Sequence, residues 1–212
     1  MVTMTETPPP SAQWRNRLLA AALEEAPFSG WTTASLKAAA NAAGLSDGEV
    51  KLAAPRGAIE LLDLFEIQAD AAMLANAQFG SNSLRGRVKT LGMARFRHMQ
   101  PHREALRRAA PHAGLAAPGW MWRTADHIWR ALGDPSTDAN FYSKRAILTG
   151  ILAASMLVFL ADETDDLCET EAFLARRLDG VMAFEKAKAA AAKIVPQSGP
   201  VLDALARMRF GR

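Results

Sequence analysis

The 212-residue chain has a single tyrosine, Tyr142, a single cysteine, Cys168, and few β-branched residues. One cysteine excludes an internal disulfide and fits a reducing compartment. Sparse β-branched residues argue against a sheet. The apolar half of the composition leans instead on Ala and Leu, both strong helix formers, so the expected class is all-α. Charge of one sign is also missing. A net charge of +3 gives little attraction for a polyanionic partner. Long apolar runs are absent too: the longest, Ala146–Ala161, has 16 residues between Arg145 and Asp162. Spanning a bilayer takes about 20, so this run reads as a buried core helix. Met1–Ser11 is polar and proline-rich, neither a secretory signal nor an Arg-rich presequence. That leads us to expect a bacterial-type cytoplasmic protein.

Catalytic and metal-binding patterns are equally scarce. His98 and His102 are four residues apart, but Pro101 lies between them, and no HExxH motif is present. His127 follows Asp126, and adjacent helix residues point apart. Cys168 sits among Asp165, Asp166, Glu169 and Glu171, surroundings that disfavour a thiolate. The acidic segment lacks the alternating ligands and glycine of a calcium loop. We therefore expect no enzyme, no metal and no catalytic residue.

The chain punctuates itself into helices. Residues 1–11 read as a disordered arm. A helix over Ala12–Glu25, ended by Pro27 and Gly30, precedes one over Ala34–Ala43, capped by Thr32 or Thr33 and closed by Gly44. Ser46 caps a third, short helix that stops before Pro55. This is the layout of a helix-turn-helix unit, residues 12–56. A bundle, residues 57–196, follows with helices over Gly57–Phe79, Leu84–Gln100, Pro101–Ala110, Gly119–Leu132, Ala139–Ala161 and Cys168–Lys193. Pro111–Pro118 reads as a loop. In Leu84–Gln100 the apolar stripe Leu84, Val88 and Leu91 is backed by Arg85, Arg87, Arg95 and Arg97. Residues 197–212 form a flexible linker and a last helix, Val201–Arg209.

The third helix invites a DNA-binding reading and does not support it. Residues Leu45–Arg56 set Asp47 and Glu49 against Lys51 and Arg56, for no net charge. A recognition helix needs cations for phosphates and Asn, Gln or Arg for base edges.

Three tryptophans, Trp120, Trp122 and Trp129, fall within ten residues, and Trp120 and Trp122 cannot share one helix face. An exposed tryptophan would mark a partner or membrane surface.

The most informative stretch is Gly133-Asp134-x-Ser136-Thr137-Asp138-x-Asn140-x-Tyr142-x-x-Arg145-Ala146. It joins a helix stop to a helix start. Gly133 can take the left-handed conformation, Pro135 blocks continuation, and Asp138 is the expected N-cap. Asn140, Tyr142 and Arg145 follow as polar groups ahead of an apolar run. Either they lock the preceding Trp-rich helix or they polarise the mouth of a pocket. This pattern resembles the ubiquinone (coenzyme Q) biosynthesis accessory family. Two further stretches resemble it: Phe28-Ser29-Gly30-Trp31-Thr32 with Ala39-Ala40 and Ala43-Gly44, and Phe173-Leu174 with Arg176-Arg177, Val181-Met182 and Glu185-Lys186. Together they cover roughly residues 12–190.

The resemblance implies a TetR-like all-α fold that dimerises through its last long helices and binds lipid instead of DNA. It implies support for the hydroxylase acting late in ubiquinone synthesis. No cofactor is expected, but a bound isoprenoid or phospholipid is. The lining would come from Leu91, Met93 and Phe96 with Leu148, Ile151, Leu152, Met156 and Phe159, which are otherwise simple core. Asp138, Asn140, Tyr142 and Arg145 would stand at the mouth. Partner docking would involve Pro111, His112, Trp122 and Trp129. The last helix has Val201, Leu202, Leu205 and Met208 beside Arg207 and Arg209. It is a basic amphipathic segment that either meets a membrane surface or docks on the dimer. The alternative class is a TetR-type ligand-responsive repressor. The neutral third helix predicts no sequence-specific duplex binding; a gel shift giving tight, sequence-dependent binding at physiological salt would overturn this.

Overall fold

The computed structural model describes residues 9–80, 83–137 and 139–180, with Ala139 described by its backbone alone. The expectations for Asp138, the Gln197–Pro200 linker and the helix over Val201–Arg209 lie outside the described residues. Those residues form nine α-helices and no strand. We label them α1 (Pro10–Ser29), α2 (Thr33–Ala42), α3 (Asp47–Ala53), α4 (Ala58–Asn76), α5 (Leu84–Met99), α6 (Arg103–Ala113), α7 (Ala117–Ala131), α8 (Ala139–Ala161) and α9 (168–180). Tight 3-10 turns, Gln100–His102 and Gly114–Ala116, join α5 to α6 and α6 to α7.

Side-chain caps set the starts of the first helices. Thr32 accepts from the Ser35 backbone N–H while Ser35 returns a bond to Thr32, and Ser46 and Glu49 do the same for α3. Such reciprocal boxes satisfy two otherwise unpaired donors each. The expected proline stops are corrected in two places. Helix α1 begins at Pro10 and continues through Pro27 to Ser29, where the Gly30 N–H closes on the Ala26 carbonyl. Leu23 and Ala26 bury that last turn, and the packing outweighs the bond lost at Pro27. Likewise the expected loop Pro111–Pro118 is almost wholly helical. Pro111 lies in the last turn of α6, Pro118 in the first turn of α7, and Gly114 at φ 38° makes the break.

The three-helix unit and the bundle share one core. Leu18, Leu19, Ala22 and Leu23 of α1 are buried with Leu61, Leu62 and Phe65 of α4. Trp31 is buried, and its indole N–H donates to the Ala105 carbonyl at 2.8 Å, tying the unit to α6.

A buried ion cluster holds α4, α5 and α7 together. Arg95, expected on the polar side of α5, is 1% exposed. It lies four residues from both Leu91 and Met99, on the inward face. Its guanidinium pairs with Glu66 and, at 3.0 Å, with Asp70. Burial opposes its charge, but the two carboxylates outweigh that and hold it more firmly protonated than usual. Asp70 also accepts from Thr124 of α7 at 2.7 Å. Removing one member leaves a buried unpaired charge, so Arg95→Ala should lower the urea-unfolding free energy by about 3–5 kcal/mol. A loss under about 1 kcal/mol would mean that water reaches the pair.

Candidate functional site

The α7–α8 turn is built on backbone bonds that the sequence anticipates. Gly133 has φ 74°, its N–H donates to the Arg130 carbonyl, and the Asp134 N–H reaches back to Trp129. This pair of bonds is the glycine-closed helix end known as a Schellman motif. Asp134 then turns its carboxylate inward. One oxygen accepts from Lys144 and from Ser136, each at 2.8 Å, and the other from Arg145 at 3.3 Å. Ser136 thus serves Asp134 across the turn.

Arg145 is the centre of the junction. It is 1% exposed, donates to Asp126 at 2.7 Å and to the Phe141 carbonyl at 3.2 Å, and lies 3.5 Å over the Phe141 ring. Asp126 also accepts from Arg130 at 2.6 Å, and Trp129 donates to the Lys144 carbonyl. Of the two readings left open, Arg145 takes the lock on the Trp-rich helix. Tyr142, three residues before it, is instead 64% exposed, its ring edge-on to Phe141. Asn140 is exposed as well. Residues three apart on a helix diverge by about 60°, enough at the rim of a core to send one in and one out.

The eight apolar positions converge. Leu91, Met93 and Phe96 of α5 are buried with Leu148, Ile151, Leu152 and Phe159 of α8, and Met156 is half-buried against them. The rings of Phe96 and Phe159 stack at 5.2 Å. Gly92 lets α5 come close: a Cβ there would lie 3.0 Å from Leu174 of α9 and 3.9 Å from Leu152. Inside this apolar interior the Ser155 hydroxyl, fully buried, has no hydrogen-bond partner among the described residues. Nothing in the sequence marks it, because a serine within an apolar run reads as filler.

Helix α8 is not the fully buried core helix its composition suggested. Over Asn140–Ala161 its mean hydropathy is 1.7, long and apolar enough to cross a membrane, yet 33% of it is buried in this chain. Ile147, Gly150, Ala153 and Leu157 face outward. Of Trp120 and Trp122, which cannot share a helix face, Trp120 is the buried one, because α7 turns it onto the core with Met121. Trp122 and Trp129 are half-buried, and Lys144 lies over the Trp129 ring at 5.4 Å. Pro111 and His112 are exposed. A groove of about 390 Å³, unmarked in the sequence, opens between Trp31, Leu36, Arg56, Ile59 and His112.

In the helix-turn-helix unit, Glu49 accepts from both the N–H and hydroxyl of Ser46, and Leu52 is 62% exposed. His127 turns to Asp70, 3.3 Å away, and Asp126 to Arg145.

Three small helices carrying a larger bundle define an all-α protein of TetR-like fold. A solved TetR transcriptional regulator from Nitrosomonas europaea superimposes with a TM-score of 0.65 over 79% of this chain and 97% of its own, at 22% identity. Residues 116–185, which contain α7, the turn and α8, match the profile of the COQ9 family of ubiquinone biosynthesis proteins. The mitochondrial ubiquinone biosynthesis protein COQ9 of Bos taurus is 30% identical over 189 residues, 80% of this chain and 58% of that one. The Homo sapiens protein is 29% identical over the same span. The Xenopus laevis protein COQ9-B is 30% identical over 190 residues and 64% of its length. The chain thus spans about three fifths of the length of these relatives.

Two carboxylates frame this site and make it acid-sensitive. Hydrogen bonding from Lys144, aided by Ser136 and Arg145, brings Asp134 from 3.8 down to about 2. At the far end of α8, burial would raise Asp162, but the hydroxyls and backbone N–H groups of Thr164 and Thr170 outweigh it and bring it to about 2. Both carboxyls are depressed on folding, so the stability they give is complete above their unfolded value and is lost as pH falls toward about 2. Asp134→Asn and Asp162→Asn should each flatten the fall in melting temperature between those limits; unchanged slopes would refute the assignment.

Proposed function

We propose that this protein is a non-enzymatic lipid carrier. It binds an isoprenoid or phospholipid and presents a polyprenylated quinone intermediate to a hydroxylase of ubiquinone synthesis. The observation that carries the reading is α8, a helix apolar enough to cross a membrane of which only a third is buried in this chain, with Ile147 and Leu157 exposed. Uncovered apolar surface on that scale implies an apolar partner. At about 25 cal/mol per Å², covering an isoprenoid tail offsets its insolubility. The inward face of α8 meets the α5 residues across a compliant, methionine-bearing interior. Ser155 offers that interior one free hydroxyl for a head-group oxygen. The outward face suits a second copy, giving a homodimer. The hydroxylase would dock along Trp122 and Trp129, with Pro111 and His112 at the edge. The setting would be the inner face of a cytoplasmic membrane, reached in part through the last helix, Val201–Arg209.

A TetR-type repressor is the second reading, favoured by the intact helix-turn-helix geometry. Its third helix presents Leu52 and a capped Glu49 where phosphate and base contacts would be needed.

Extraction of the purified protein and mass spectrometry should recover an isoprenoid or phospholipid. Leu152→Arg and Met156→Arg should each reduce recovery at least several-fold while circular dichroism stays helical; Met156, half-buried, is the safer of the two for folding. A well-folded wild type that yields no lipid would sink the proposal.

A further inference from the structure

Between Glu104 and Asp126 the chain carries no acidic residue, yet it holds Arg107, Arg108, His112 and Arg123. This stretch forms most of α6, the Gly114–Ala116 turn and the start of α7. Leu106, Ala109, Trp120 and Met121 are buried, so the turn is seated firmly on the bundle. Its outer side is different. The break at Gly114 leaves Leu115 102% exposed, as bare as in an extended peptide. Ala110, Pro111, His112, Pro118 and Gly119 are exposed around it. Arg107 and Arg108 share a single carboxylate, Glu104, at 3.2 Å and 3.6 Å.

The neighbouring helix extends this surface. Helices α7 and α8 run antiparallel, with Asp126 paired to Arg145 and Trp129 to Lys144. Equal steps away from those pairs bring Leu115 level with the stretch Met156–Val158, within which Leu157 is 71% exposed. Arg107 fixes α6 to the same end of α8 by donating to the Leu160 carbonyl.

We infer that this tip is a docking surface for an anionic membrane, with Leu115 entering the head-group layer and Arg107 and Arg108 at its edge. The inference concerns the outside of the bundle and stands whichever lipid the interior holds. An exposed leucine ringed by small and basic residues matches an interfacial wedge. The missing carboxylates matter because each would be repelled by an anionic surface, where basic groups are attracted. A protein hot spot would instead centre on packed aromatic residues, and Trp120 is turned into the core.

Flotation of the full chain with phosphatidylcholine vesicles, with and without phosphatidylglycerol, tests this. Wild type should float with the anionic vesicles and weaken as salt rises. Leu115→Glu should reduce the bound fraction about tenfold and Arg108→Gln about threefold, with melting temperatures unchanged because both side chains are exposed. Leu115→Trp should keep binding and add a blue-shifted emission component with vesicles present. If Leu115→Glu floats like wild type, the tip is not the membrane contact and the inference fails. It fails equally if Leu115→Glu leaves flotation unchanged but alters the oligomeric mass, since the tip would then join copies of the chain.

Discussion

The guanidinium of Arg145 is the constraint on which the site depends. It stands at the start of α8 and takes Asp126 from α7, Asp134 from the turn and Phe141 from its own helix. Three separate stretches are thereby fixed by one side chain. Everything downstream on α8 inherits that register: which residues face α5 and which, like Leu157, face outward. A lysine could not replace it, because a point charge cannot serve two carboxylates and a ring at once. Arg95 does the corresponding work between α4 and α5, so the bundle is braced by two buried arginines with apolar packing between them.

Helix starts and stops were the legible part. Thr32, Ser46, Gly44 and Gly133 act locally, through bonds within a few residues, and the structure uses each of them as the sequence suggests. Prolines misled because their effect depends on what surrounds them. Pro27 and Pro111 fall in last turns, where each removes one N–H bond and the buried neighbours of that turn hold the chain regardless. Buried charge misled more deeply. Arg95 reads as solvent-facing because an arginine alone is costly to bury. Its two carboxylates lie 25 and 29 residues away on another helix. Only the packing of α4 on α5 reveals the triad. The site was half legible for the same reason: the motif pointed to Arg145 correctly, while its partner Asp126 lay outside the motif and Tyr142 turned outward.

The fate of the basic residues separates this chain from a DNA-binding protein of the same fold. A helix-turn-helix grips phosphates with cations held toward the duplex. Here the arginines of the three-helix unit are engaged within the protein. Arg15 donates to the Ala53 carbonyl at the end of α3, Arg17 to the Ala43 carbonyl at the end of α2, and Arg56 to Glu60. The first two contacts close helix C-termini, where a cation is favoured by the dipole. They rigidify the unit while withdrawing its charge from any groove. On the α6–α7 tip the balance is reversed: two arginines share one carboxylate beside a bare leucine. The same fold therefore holds the arginines of the three-helix unit on its own carbonyls and leaves those of the α6–α7 tip under-neutralised, where Arg107 ties α6 to α8.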